Sequence, residues 1–325
     1  MQTKSFSIGI DIGGTNTTCG IVNRHGDIQV QEHLRTADYA TPVDFVAAIK
    51  AQMEPHIDHY GKNQIKGIGA GAPNSSYYTG EIQPAPNLPW KQVIPLRKLL
   101  EDAFGLPATI TNDANASAIG EMIYGAAKGM KDFIMVTLGT GLGSGFVANG
   151  QLIYGHDGFA GELGHVIAVR DGRLCNCGRR GCLERYSSAT GIVHTAYEML
   201  EAKQEDQSIA KNEDWLRTRH SRGEEITSSS IHKAALAGDP LAVEIFDFTG
   251  KILGQCLADA VAITSPEAII VFGGLAKAGD FILKPAKKYM EENLLNVFKN
   301  KIDILPSELP ERDAAILGSA ALAWD

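Results

Sequence analysis

Two kinds of hydrophobic pattern alternate along this chain. Short apolar runs bounded by Gly, Thr and Asn predict strands at Phe6–Ile12, Cys19–Val22, Ile65–Gly71 and Ala108–Thr111. Stretches with apolar residues three and four apart predict helices over about 43–60 and 94–104. In a third such stretch Ala118, Ile119, Met122, Ile123 and Ala126 share one face. The pattern then restarts, with strands at Phe133–Leu138 and Phe146–Ala148 around GTGLGSG. Helices are predicted near 187–202, 230–237 and 241–263, a strand at Ala268–Phe272, a helix over 280–297, a strand over 302–305 and a helix over 313–324. The stretch from about Lys203 to Ser229 is rich in Lys, Glu, Asp, Gln and Ser, and reads as a solvated loop between helices.

The restart carries information about the fold. FSIGIDIGGTNTTCGIVN and DFIMVTLGTGLGSGFVAN follow one plan: apolar strand, Gly/Thr turn, apolar strand, then Gly26 or Gly150 in a further turn. Alternating helices and strands follow each. The expectation is an α/β protein made of two copies of one βββαβαβα unit.

Composition narrows the function. The 325 residues are enough for two domains and a sizeable core. A formal net charge of −8 and the lack of a basic run argue against nucleic acid as a partner. An acidic chain that binds an anion must do so locally, through backbone N–H groups, helix N-termini or a bridging cation. No apolar stretch is long enough to predict a membrane span, and the first residues lack a signal-like apolar region. The expected location is therefore the cytoplasm, where cysteines stay reduced.

Three glycine loops, DIGGTN, GTGLGSG and FGGLAKAG, are candidates for binding phosphate. Neither GxxxxGK[ST] nor GxGxxG is present. Glycine turns between strands can still direct backbone N–H groups at phosphate oxygens, although each loop alone also reads as a plain hairpin turn. FGGLAKAG lies between a strand and a helix, where the helix N-terminus favours an anion. Asp11 places a carboxylate in the first loop, which suits phosphate binding if Mg²⁺ lies between them.

Three of the five cysteines fall in CNCGRRGC, residues 175–182. A reduced compartment weakens a disulfide, and the lack of C-x-x-C weakens a redox pair. With His165, Cys175, Cys177 and Cys182 give H-x9-C-x-C-x4-C, three thiolates and one imidazole for a closed tetrahedral zinc shell. A buried turn with chance cysteines remains open at this point. Gly178 and Gly181 permit the tight backbone a metal loop needs. Cys19 and Cys256 lie in apolar stretches and read as core residues.

Taken together, DIGGTN (11–16), NLPW (87–90), TNDANA (111–116), LGTGLGSG (138–145), GELGH (161–165), CNCGRRGCLE (175–184) and FGGLA (272–276) resemble the ROK family of repressors, open reading frames and sugar kinases. The resemblance implies the actin-like, ribonuclease-H-type ATPase fold, with ATP between two lobes. The lobes are expected at 1–112 and 113–312, the second containing the zinc loop 165–182, with the helix at about 313–325 returning to the first. It implies an ATP-dependent hexose kinase with Asp113 as the base that takes the proton of a sugar hydroxyl. Asp113 also reads as a helix N-cap, and both roles can hold together. Asn87, Asn112, Glu162, His165 and Glu184 match sugar-contacting residues, and His165, Cys175, Cys177 and Cys182 match zinc ligands. His165 can serve both purposes if its two ring nitrogens face different ways. The nucleotide would contact Asp11, Gly13, Gly14, Thr15, Asn16, Gly139, Thr140, Gly141, Gly143, Gly273 and Gly274.

Glucose is the first expected substrate. N-acetylglucosamine, N-acetylmannosamine, mannose and fructose are alternatives within the family. The chain departs from the family where GAPN puts Asn74 at a position many members fill with Gly, in a loop bordering the sugar. A homodimer is expected from the resemblance alone. A sugar-responsive repressor is the competing reading. It is disfavoured by the charge and by a first strand that starts at Phe6, leaving no room ahead of it for a helix-turn-helix domain. Retention of Asp11, Asp113 and the glycine loops argues against an inactive sugar sensor.

Overall fold

The structure, a computed structural model, describes residues 4–202, 215–310 and 313–324. Strand β1 (Phe6–Ile12) pairs antiparallel with β2 (Asn16–Asn23), and β2 with β3 (Ile28–Arg35). Helix α1 (Pro42–Tyr60) crosses over to β4 (Ile65–Gly71), parallel to β1. Helix α2 (Leu96–Phe104) crosses to β5 (Ala108–Thr111), parallel to β4, and α3 (Asp113–Tyr124) follows. The sheet order is β3-β2-β1-β4-β5. Parallel neighbours need such crossovers because a tight turn cannot return the chain to the same end.

The plan is then repeated. Strands β6 (Phe133–Leu138), β7 (Leu142–Ala148), β8 (Gln151–Leu152), β9 (Ala268–Phe272) and β10 (Asp303–Pro306) form a second sheet of order β10-β9-β6-β7-β8. Numbered within its own repeat, this sheet has the same order as the first. Helices α4 (Ala189–Ala202), α5 (Trp215–Ser221), α6 (Ser228–Leu236) and α7 (Pro240–Thr264) lie between its third and fourth strands in sequence. Helix α8 (Asp280–Asn293) joins β9 to β10, and α9 (Ala314–Ala321) follows β10. The expected duplicated βββαβαβα plan is therefore present.

Two compact units divide the chain: Met1–Lys131 with Gly145–Gly161 and Ser307–Asp325, and Asp132–Ser144 with Glu162–Pro306. The first unit thus includes Asp113 and all of α3, which the sequence reading assigns to the start of the second lobe. The reason is packing. Helix α9 lies on β1, β4 and α3, and the α3–α9 approach is close enough that a Cβ on Gly120 would stand 2.8 Å from the Gly318 Cα.

The core of the first unit is the apolar face of β1, β2 and β4 under α1 and α2. Ile8, Ile10, Ile21, Ile49, Met53, Ile65, Ile68, Leu100 and Phe104 are fully or almost fully buried there. Each such side chain contributes roughly 1.5–3 kcal/mol by leaving water. Helix α1 starts at Thr41, whose side chain accepts the Asp44 N–H, with Pro42 at the first helical position.

Several elements differ from the pattern reading. Strand β3 is absent from that reading because IQVQEHLR is a mostly polar edge strand with only Leu34 buried. Strand β7 begins at Leu142, inside the glycine run, and α8 stops at Asn293 where Leu294 turns extended. Of the predicted loop from Lys203 to Ser229, residues 203–214 lie outside the described residues. Trp215–Ser221 is helical, and a capping box of Thr227 and Ser230 starts α6. Cys19 and Cys256 are buried, as expected, and burial pushes each thiol up to about 12. Among the described residues no helix is long and apolar enough to cross a membrane.

Candidate active site and metal centre

In the first unit, Asp11 sits one residue before the end of β1, and Asp113 is the first residue of α3. The helix N-cap is Asn112, not Asp113: the Asn112 Oδ1 accepts the Asn115 N–H at 2.7 Å. This corrects the N-cap reading of Asp113. Asn112 has the extended backbone a cap requires, and Asp113 is already helical. The Asp113 carboxylate accepts the Ala114 N–H at 2.9 Å, which favours its ionised form. Asp113 is exposed to solvent, yet enough protein surrounds it for desolvation to outweigh that bond and raise its pKa. Burial first, and then the neighbouring Asp113, raise Asp11 to about 7. The structure therefore brings together two carboxylates that cannot both ionise freely.

The DIGGTN turn is held from behind. The Thr36 hydroxyl donates to the Gly13 carbonyl, and Thr36 Oγ1 lies 2.8 Å from Thr17 Oγ1, both side chains being buried. Gly13 N–H bonds to the Asn16 carbonyl and Thr36 N–H to the Thr15 carbonyl, leaving Thr15 and Asn16 exposed. Gly14 meets the NLPW loop: a Cβ there would lie 2.3 Å from the Asn87 carbonyl oxygen, so only glycine fits. The candidate nucleotide turn and the candidate sugar residue Asn87 are in direct contact within this unit. Asn74 has φ 52, the left-handed conformation that a glycine would supply. Asparagine tolerates it, and its side chain donates to the Pro84 carbonyl at 3.1 Å. The departure from glycine keeps the backbone and adds an amide.

In the second unit two glycine loops converge. The Leu275 N–H donates to the Leu138 carbonyl, and a Cβ on Gly273 would stand 2.6 Å from that same oxygen. Gly139 and Gly274 face open space. The third loop contains a short helical turn, Ala276–Ala278, and its last residue, Gly279, is the N-cap of α8, so the loop leads into that helix. The Gly143 N–H donates to Thr137 Oγ1 at 3.2 Å. Behind the second loop, the start of α4 is tied to it: Ala189 N–H donates to the Gly139 carbonyl at 2.8 Å and Thr190 Oγ1 to the Thr140 carbonyl at 2.9 Å. Thr137, Ala189 and Thr190 were missed in the sequence. Nothing in the linear pattern links Thr140 to a residue fifty positions away.

His165, Cys175, Cys177 and Cys182 also gather in this unit, with one ligand atom of each within 4.8 Å of the others. Cys177 Sγ and Cys182 Sγ are 3.6 Å apart, and Cys175 Sγ is 3.8 Å from His165 Nδ1. A zinc tetrahedron with bonds of about 2.3 Å to sulfur has edges of about 3.8 Å. The donor set and spacing therefore fit zinc. Nδ1 is the histidine nitrogen on the cluster side, so Nε2 is left to face elsewhere. The loop is built to close tightly: Gly178 and Gly181 have φ of 88 and 83. Arg173 ties it to α4, pairing with Glu198 and donating to Thr195 and to the carbonyls of Arg185 and Gly191. Glu184 is half-buried beside the cluster, its Oε1 3.0 Å from Cys175 Sγ and 4.0 Å from His165 Nδ1. Glu162 is exposed, and its carbonyl accepts the His165 N–H at 3.0 Å.

A family model described as ROK family matches residues 7–325. The chain belongs to the ROK family. It is 35% identical over 296 residues to a glucokinase of Halalkalibacterium halodurans, covering 89% of this chain and 86% of that one. It is 35% identical over 323 residues to a glucokinase of Streptomyces coelicolor, covering 98% and 97%. Among solved structures it is similar to a ROK family glucokinase from Streptomyces griseus in complex with glucose and AMPPNP, with 34% identity, a TM-score of 0.77, and 98% and 99% of the two chains covered. The two sheets of this ROK protein thus have the actin-like ATPase fold.

Proposed function

We propose that this ROK protein is an ATP-dependent hexose kinase that phosphorylates glucose, with Asp113 as the general base. The observation that carries the reading is the Asp113 carboxylate. It is open to solvent, stands in the first turn of a helix, and is raised by burial, which makes it a stronger base once ionised. The relatives named glucokinase, and the neighbour with glucose and AMPPNP bound, support glucose and ATP as substrates.

In the proposed reaction the sugar 6-hydroxyl loses its proton to Asp113 as its oxygen attacks the γ-phosphorus. The bond from that phosphorus to the β,γ-bridging oxygen breaks, ADP leaves, and Asp113 later returns the proton to solvent. Asn87, Asn112, Glu162, His165 and Glu184 are proposed to hold the sugar hydroxyls. Because Asn112 Oδ1 caps α3, its amide NH₂ is the group left to donate to sugar. His165 would present Nε2 to the sugar while Nδ1 binds zinc. Asp11, Gly13, Gly14, Thr15 and Asn16 in the first unit, and Gly139, Thr140, Gly141, Gly143, Gly273 and Gly274 in the second, are proposed to contact the nucleotide.

Asp11 is the residue proposed to hold Mg²⁺, since a nearby cation would favour the ionised form that burial and Asp113 oppose. Bound Mg²⁺ would neutralise charge on the phosphate oxygens. Zinc on His165, Cys175, Cys177 and Cys182 would be structural, as a closed four-ligand shell leaves no open position. A cytoplasmic homodimer completes the reading.

A coupled assay of kcat/KM across glucose, mannose, N-acetylglucosamine, N-acetylmannosamine and fructose tests this. Glucose is expected to rank first. A different leading sugar would reassign the substrate, and no turnover with any of them would remove the kinase reading.

A further inference from the structure

The loop that carries Asn87 is closed by a lysine that motif reasoning passes over. Lys91 Nζ donates to the carbonyls of Ala85 at 3.3 Å, Pro86 at 2.9 Å and Leu88 at 2.6 Å. These carbonyls flank Asn87 on both sides in sequence. An ammonium has three N–H donors and no acceptor, so it can satisfy three converging carbonyls at once. Charge-assisted bonds of this kind are the stronger class. Without a cation there, three carbonyl dipoles would point at one another and the loop would relax.

The rest of the loop is fixed on its other sides. Leu88 and Trp90 are buried, the Trp90 indole N–H donates to the Tyr39 carbonyl at 3.1 Å, and its ring lies 5.0 Å from that of Phe45. Asn87 is exposed between these anchors, with its own carbonyl against Gly14. Its main chain is therefore held by Lys91 at one place and by the DIGGTN turn at another. Lys91 itself is exposed, so its bonds act locally rather than on the core.

We propose that Lys91 is a positioning residue for the sugar: through three main-chain carbonyls it fixes the place of Asn87. The proposal rests on the reading of Asn87 as a sugar ligand given above. Lys91 touches no reacting atom. Its effect is to order the Asn87 loop before the sugar arrives, so that binding does not have to supply that ordering.

A double-mutant cycle with Lys91→Met and Asn87→Ala tests it, with Lys91→Arg as the conservative variant. Glucose KM, ATP KM, kcat, glucose Kd by calorimetry and Tm are measured for each. Lys91→Met is expected to raise glucose KM and Kd about tenfold, as for loss of a buttressing hydrogen-bond set, with ATP KM and Tm nearly unchanged. Lys91→Arg should recover part of this, since its planar fork cannot direct donors at all three carbonyls. The double variant should be no worse than Asn87→Ala alone, because Lys91 acts only through Asn87. Additive effects on glucose Kd, or an unchanged glucose Kd in Lys91→Met beside a defective Asn87→Ala, would overturn the proposal alone. A normal glucose Kd in Asn87→Ala would overturn both the sugar-ligand reading and the role of Lys91.

Discussion

The two repeats place the same hairpin turn at the head of each sheet but give it different chemistry. In the first, Asp11 stands one residue before the end of β1. In the second, Thr137 holds the corresponding place in β6. The Thr137 hydroxyl is used internally, accepting the Gly143 N–H across the turn. The Asp11 carboxylate is raised to about 7 by burial and by Asp113. One copy keeps its turn neutral and presents bare backbone. The other keeps a carboxylate at a cost to the fold. A duplicated scaffold can thus carry an asymmetric site when a single side chain differs at one strand end.

This comparison can be broken most decisively at Asp113. Asp113→Asn is expected to lower kcat by about 10³ or more with the fold retained, since it removes a general base. Single-turnover kinetics beside a circular dichroism spectrum check this, and a near-normal rate would exclude Asp113 as the base.

Asp11→Asn should lower kcat/KM by about 10², the next largest effect, through weaker handling of phosphate charge. It should also change stability in the opposite direction. The folded-state pKa of Asp11 lies above its ordinary value of 3.8, so the native state binds more protons than the unfolded state between 3.8 and about 7. Stability therefore falls as pH rises through that window. Activity should rise over the same range as Asp11 ionises. Thermal unfolding from pH 4 to 8, without nucleotide or divalent cation, should show the decline in the parent chain and a flatter curve in Asp11→Asn. An equal decline in both would remove Asp11 as its source.

Metal removal should have an intermediate effect. Cys177→Ser is expected to abolish stoichiometric zinc and to raise glucose KM about tenfold, because His165 and Glu184 lose their fixed frame. Elemental analysis and steady-state kinetics decide this. A zinc-free chain with normal glucose KM would make the loop a clip unconnected to the sugar.

Thr137→Val should be the mildest change, costing about 1 kcal/mol of stability from one lost hydrogen bond and altering ATP KM by no more than about threefold. A loss as deep as that of Asp11→Asn would show that the two turns are chemically equivalent.

Much of the fold is legible in the sequence because burial leaves a strong signature. The β1, β4, β5, β6 and β9 runs match their predicted bounds, as most side chains in each are buried. Strand β3 is not legible, because an edge strand with one well-buried side chain lacks that pattern. The members of the His165, Cys175, Cys177 and Cys182 cluster could be picked out from type and spacing, since four residues in an eighteen-residue stretch are nearly local. Lys91 and Thr190 could not be. Both act on main-chain carbonyls, and a carbonyl has no letter in the sequence.

By itself, then, the sequence determined the duplicated α/β plan, the family, and the residue types available for acid–base, phosphate and metal chemistry. Those follow from local hydrophobic period and from motifs that lie within short stretches. Only the tertiary structure decided that α3 and Asp113 pack with the first sheet, that Asn112 rather than Asp113 caps the helix, and that Gly14 touches Asn87. It also decided that His165 turns Nδ1 to the cysteines. Each of these depends on which distant backbones approach within van der Waals reach, and close packing sets that over the whole chain at once.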